Sequence, residues 1–287
     1  MDFRNGQELL DLCASENISI SQAMKTREIT CGSLTSEEID EKLATVLHIM
    51  KNAVAEPLNS PRRSMGGLIG GEAKKVSEFG QTSSSVCGSL LNHAITYSMA
   101  VLEVNATMGL IVAAPTAGSS GVLPGVLLAL QEDRNLPDEI IYKGLLNAAA
   151  IGYILMRNAS VSGAEAGCQA EVGAASAMAA SAVVEIMGGT PQMSLHAASI
   201  AMSNLLGMVC DPIAGLVEAP CQGRNTIGAA NAVTCAELAL AGVTHPIPFD
   251  EMVEVMYRVG KDLPFELRET AMGGCAAAPS ACKFCCK

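Results

Sequence analysis

Cys168, Cys210 and Cys221 each stand at the end of a helical stretch, beside Gly167, Asp211-Pro212 and Pro220. Thiolates placed at such breaks can point into one pocket and bind a soft metal or cluster. Their separations of 42 and 11 residues match neither paired zinc ligands nor ferredoxin runs. On spacing alone, three buried packing cysteines fit equally well or better. A second segment, Pro115-Thr116-Ala117-Gly118-Ser119-Ser120-Gly121, leads into a helix. Its small residues let backbone approach a ligand, and free amides at a helix start attract a carboxylate. The hydroxyls of Thr116, Ser119 and Ser120 could add donors, although such a loop by itself is more often a plain capped turn. A third segment, residues 160–171, holds Ser160, Ser162, Gly163, Glu165, Cys168 and Glu171, again a composition ill suited to plain packing.

The remaining titratable groups carry less. Cys13, Cys31, Cys87 and Cys235 have no Cys or His at ligand spacing and read as packing residues. Cys275, Cys282, Cys285 and Cys286 crowd the C-terminal tail. His48 lies on a charged helix face, His93 and His196 in nearly uncharged helices, and His245 in a loop before Pro246. A satisfied structural histidine is the commoner occupant of such places, and no general base is assigned among them.

Helical periodicity must position these residues. Thr35 to Glu38 reads as a capping box, followed by Ile39, Leu43, Val46, Leu47, Met50 and Val54 at helical spacing. A loop with Ser64, Gly66, Gly67, Gly70 and Gly71 comes next. Further helices are expected over about 84–107, 122–131, 138–158, 170–187, 191–209, 223–241 and 249–261, with Pro191 suited to a first turn. No strand alternation, internal repeat or Gly/Ser-rich linker interrupts them. The expectation is an all-α chain: a single Ala/Gly-rich multi-helix domain over residues 1–272 and an irregular Cys-rich tail over 273–287.

Lys and Arg number 18 against 29 Asp and Glu, a net charge of −11. That balance argues against nucleic acid and anionic membrane surfaces as partners. The chain holds 42 Ala and 27 Gly, aromatics are 3%, and Trp is absent, so the core must be built by backbones approaching closely. Mean hydropathy is +0.33, but the long uncharged runs are broken by Pro and polar residues, unlike spanning helices of about 20 apolar residues. The first eight residues carry Asp2, Arg4 and Glu8 and resemble no export signal. An odd count of eleven cysteines also argues against a disulfide framework. The reading is a soluble cytoplasmic protein.

Residues 115–121, 162–173 and 210–222, in that order on an Ala-rich helical chain with a Cys-rich end, closely resemble the iron–sulfur-dependent bacterial L-serine dehydratases. The resemblance is to their alpha (catalytic) part, covers nearly the whole chain, and extends to residues 64–71 and 262–274. It implies a [4Fe–4S] cluster that eliminates water from L-serine to give pyruvate and ammonia. It implies Cys168, Cys210 and Cys221 as ligands of three irons, with a tail cysteine, Cys286 or else Cys285, as an occasional fourth. An open iron would act as a Lewis acid on the serine hydroxyl, and Thr116, Ala117, Gly118, Ser119, Ser120 and Gly121 would cradle the carboxylate. The resemblance further implies a separate beta chain, which could carry the α-proton base, and an oligomer. The alternatives are a cluster lyase of the L-cysteine desulfidase type and a non-catalytic iron–sulfur binding protein.

Overall fold

The computed structural model describes residues 2–82 and 85–284. Among them the regular structure is helical and no named strand occurs, in agreement with the all-α expectation. Its helices are α1 (Gly6–Glu16), α2 (Ile20–Cys31), α3 (Ser36–Asn59), α4 (Glu72–Gly80), α5 (Ser89–Ala106), α6 (Val122–Arg134), α7 (Asp138–Asn158), α8 (Gly163–Ala166), α9 (Ala174–Ile186), α10 (Pro191–Asn204), α11 (Cys221–Leu240) and α12 (Phe249–Asp262).

The Thr35 hydroxyl accepts the Glu38 amide and the Glu38 carboxylate accepts the Thr35 amide, so the capping box opens α3 as expected. Thr190 caps α10 ahead of Pro191. At the centre lies α9, whose residues from Ala174 to Val184 are all buried and mostly Ala or Ser. It is packed by α6, α7, α10 and α11. The same economy of volume brings α5 and α6 together: a Cβ on Gly121 would fall 2.2 Å from the Ser98 carbonyl oxygen, and one on Gly125 2.8 Å from that of Ala94. Only glycine allows that approach, and it sets residues 115–121 against α5. Helix α7 is the one helix among the described residues long and apolar enough to cross a membrane, and 61% of that window is buried in the protein.

Helix α5 begins at Ser89, after Gly88 in an extended conformation, rather than near 84. Two further boundaries differ from the periodic pattern, and both bear on the site. A π-helical turn over Gln169–Gly173 precedes α9, a break common near functional residues. Helix α10 stops at Asn204 rather than continuing to 209, because Gly207 adopts φ +78° and gives its amide to Gln169 Oε1. The tail also departs from its composition. It docks through 3-10 turns at Gly274–Ala277 and Cys282–Phe284, with Ala276 and Ala281 each 3% exposed. Alanine-sized side chains pack there without any apolar period.

Candidate metal centre

Gln169 fixes the turn that carries Cys168. Its amide donates to the Met208 carbonyl, its Oε1 accepts from Gly207, and its Nε2 donates to the Met256 carbonyl on α12. Cys210 is held by an isolated two-stranded contact, its amide on Leu267 and its carbonyl accepting from Glu269. Cys221 is the first residue of α11.

These segments converge. Cys168 Sγ, Cys210 Sγ and a Glu171 carboxylate oxygen all lie within 4.8 Å of one another, with 4.0 Å between Cys210 Sγ and Glu171 Oε2. Cys221 stands outside that tightest group but feels it. Burial first, then the neighbouring Cys168 and Glu171, push its thiol up to about 12. Hydrogen bonding with Cys168, then burial, drives the Cys210 thiol well above its ordinary value. Burial raises the Glu171 carboxyl as well, opposed by a hydrogen bond from Thr116 and assisted by Glu269. Cys168, Cys210 and Cys221 are all buried, at 3%, 2% and 6% exposure.

The loop at 115–121 joins the same place. The Thr116 hydroxyl donates to Glu171 Oε1 at 2.7 Å and stands 3.1 Å from the Ser119 hydroxyl. Asn225, wholly buried on α11, accepts the Gly121 amide and donates to the carbonyls of Gly118 and Cys221. Loop and Cys221 therefore share one bracket. Ser119 and Ser120 are fully buried, and the Ser120 hydroxyl is taken by the Ala117 carbonyl. Of the three hydroxyls expected as donors, those of Thr116 and Ser120 are engaged within the protein, and Ser119 lies against Thr116. Two glycines leave room for the Glu171 carboxylate. A Cβ on Gly163 would lie 2.6 Å from its Oε2 and 3.0 Å from Cys210 Sγ, and one on Gly118 2.9 Å from its Oε1.

Buried carboxylates tie the surrounding loops together. Glu218 accepts from the Ser64 hydroxyl and the amides of Gly66 and Leu68, so the glycine loop rests on the segment before Cys221. Glu103 accepts from the amides of Gly71 and Ala73 and from Gln222. Sequence reasoning gave no role to Glu103, Glu171, Asp211, Glu218, Arg224 or Asn225. For the acids a signal was available: in a chain with only 16% charged residues, an acid among long apolar stretches must be partnered. Arg224 and Asn225 carried none. The histidines make their contacts elsewhere. His48 meets Asn52, His93 stacks on Tyr97 beside Glu132, and His196 accepts the His245 amide.

The donor set suits a thiolate-bound metal. Neutral buried thiols give up their protons when a cation replaces them, and sulfur ligands select soft metals and iron–sulfur clusters. Cys285 and Cys286, the expected fourth ligands, lie outside the described residues. Cys282 is exposed, and Cys275 is exposed with its amide on the Asp211 carboxylate.

The family model for the serine dehydratase alpha chain matches residues 15–276. The chain belongs to that family. A relative from Bacillus subtilis, a probable L-serine dehydratase alpha chain, is 46% identical over 278 residues, covering 97% of this chain and 92% of the relative. The L-serine dehydratase alpha chain of Peptoniphilus asaccharolyticus is 44% identical over 282 residues, covering 98% and 97%. An L-serine dehydratase of Escherichia coli is 37% identical and is spanned over 62% of its length by 96% of this chain. The part matched by the serine dehydratase alpha-chain family contains the loop at 115–121 and Cys168, Cys210 and Cys221, whereas Cys282, Cys285 and Cys286 lie beyond it.

Proposed function

We propose that this chain is the alpha subunit of an L-serine dehydratase, holding a [4Fe–4S] cluster on Cys168, Cys210 and Cys221 and working in the cytoplasm with a separate beta chain. The observation that carries the reading is the meeting of Cys168, Cys210 and Glu171 within 4.8 Å, joined through Thr116 to the loop at 115–121, in a chain of this family.

The net reaction converts L-serine to pyruvate and ammonia: water leaves across Cα and Cβ, and water returns when the resulting enamine hydrolyses. When bound, the cluster supplies Lewis acidity toward the substrate's hydroxyl. The protein's own residues do the rest. Residues Thr116, Ala117, Gly118, Ser119, Ser120 and Gly121 receive the carboxylate at the head of α6, where the helix dipole favours an anion, the Gly121 amide itself being held by Asn225. Thr116, bonded to Glu171, holds that loop at a fixed distance from the thiols. Asn225 holds the other end of the loop against the residue that opens α11. Burial of Ser119 and Ser120 keeps the floor of the loop dry, which strengthens every polar contact made there. The proton on Cα passes to a base that we assign to the beta chain, because the contacts of the four histidines of this chain lie with Asn52, Tyr97, Glu132 and one another rather than with Glu171, the loop or the thiols. Residues 273–287 form a separate tail, of which Cys286, or else Cys285, would offer the cluster a further thiolate.

The test is anaerobic reconstitution with iron and sulfide, followed by assays of pyruvate from L-serine and of sulfide from L-cysteine, with and without the beta chain. Pyruvate formed from L-serine, with both chains present, is the expected result. Sulfide and pyruvate from L-cysteine with no pyruvate from L-serine would transfer the site to a cysteine lyase, and a loaded cluster with no product from either amino acid would leave a binding protein only.

A further inference from the structure

Arg224 lies on α11 one turn after Cys221 and reaches back to the other thiol. Its Nη1 is 3.6 Å from Cys168 Sγ, 2.8 Å from the Val209 carbonyl oxygen and 2.6 Å from Asp211 Oδ1. Asp211 is 2% exposed, and its second oxygen accepts the Cys275 amide from the tail. The contact is close: Gly274 has φ +58°, and a Cβ there would fall 2.1 Å from Asp211 Oδ2. A continuous path therefore runs from the tail backbone through an ion pair between the buried Asp211 and the half-buried Arg224 to a thiol of the candidate centre.

The Val209 contact alone would explain Arg224 as a staple between the 209–211 segment and α11. It does not explain why the guanidinium also meets sulfur, nor why the buried acid that neutralises it is the one the tail docks on. A guanidinium stays charged and has donors to spare, and hydrogen bonds to ligand sulfurs tune the potential of an iron–sulfur centre.

We propose that Asp211 and Arg224 form a relay from the docked tail to the cluster, in which Arg224 is a positioning residue that donates an N–H···S hydrogen bond to Cys168. The proposal rests on the reading of Cys168 as a cluster ligand. With the tail docked, Asp211 divides its oxygens between Arg224 and the Cys275 amide. With the tail displaced, both oxygens are free to draw the guanidinium away from the sulfur. Tail docking thus raises the cluster potential, and tail release lowers it.

The experiment is an EPR-monitored redox titration of anaerobically reconstituted holoenzyme, with iron content and tryptic release of the tail at Arg268 or Lys283 measured in parallel. Arg224→Gln is expected to keep its iron and shift the potential downward, with Arg224→Lys recovering part of the shift. Gly274→Val is expected to speed tryptic release about tenfold, the effect of losing one charge-assisted hydrogen bond, and to lower the potential as well. The double variant should go no lower than Arg224→Gln alone, because coupled sites are not additive. If Arg224→Gln fails to assemble, Asp211→Asn with Gly274→Val reads the same path from the tail side. An unchanged potential in an iron-replete Arg224→Gln or Asp211→Asn protein overturns the relay. So does a Gly274→Val shift that adds in full to that of the other variant. Full iron content in Cys168→Ser would instead overturn the ligand assignment itself.

Discussion

Glu171 is the residue on which thiols and loop meet, since one oxygen accepts from Thr116 and the other faces Cys210. Replacing Thr116 by Val removes that bond while keeping the side chain's shape. The expected outcome is about a tenfold loss in kcat/KM for L-serine, the usual effect of one hydrogen bond to a charged group, with the cluster absorption unchanged. Loss of the cluster in that variant would make the loop a structural part of the metal site. The packing cysteines allow a second check. Burial raises Cys13 to about 11 and Cys235 to about 12 from an ordinary 9.0. Both thiols therefore stay neutral in the fold while the unfolded chain ionises. Their contribution to stability is complete below pH 9 and is lost as pH rises toward 11–12. Alkylation of the native chain at pH 8, read by mass spectrometry, should label the exposed Cys31 well before Cys13 or Cys235.

At the scale of elements, short connections carry the chemistry and long helices hold them still. The π-turn at Gln169–Gly173, the Cys210–Arg268 contact and the head of α11 each present one thiol. Gly163→Ala places a methyl 3.0 Å or less from both Glu171 Oε2 and Cys210 Sγ. Iron binding is expected to fall while far-UV circular dichroism stays the same. Glu218→Ala leaves the Ser64 hydroxyl and two amides without their acceptor. A stability loss of about 3 kcal/mol is expected, read as a lower midpoint in urea and faster tryptic cleavage near Arg62 and Arg63. Much of this scaffold was legible in the sequence. The capping box at Thr35, Pro191 in the first turn of α10, and the break at Pro115 are local signals and appear where expected. What was not legible has a common physical cause. Thr116 and Glu171 are 55 residues apart, Ser64 and Glu218 154 apart, and no periodicity reports such pairings. The π-turn was hidden for a different reason, because its residues Gln169 to Gly173 keep a helical composition while the hydrogen-bond register changes.

For the whole molecule, the Ala- and Gly-rich composition has a direct structural meaning. Small side chains let α5, α6, α9 and α11 approach closely enough to hold two buried thiols and an acid within 4.8 Å of one another, with the buried Cys221 at the head of α11 beside them. The same economy docks the tail, for which composition predicts only an irregular Cys-rich segment, through Ala276 and Ala281. If the thiols of this chain hold the cluster and the proton acceptor lies on a second chain, as proposed, cluster assembly and turnover separate: the alpha chain alone should load its cluster and make pyruvate only after the beta chain is added. The most direct measurement of the central claim is the iron and sulfide content, with the absorption spectrum, of the anaerobically reconstituted chain beside its Cys168→Ser, Cys210→Ser and Cys221→Ser variants. The account predicts about four iron and four sulfide per chain in the parent and loss of most of both in each variant. Full iron and sulfide retained after any one of the three substitutions would contradict it.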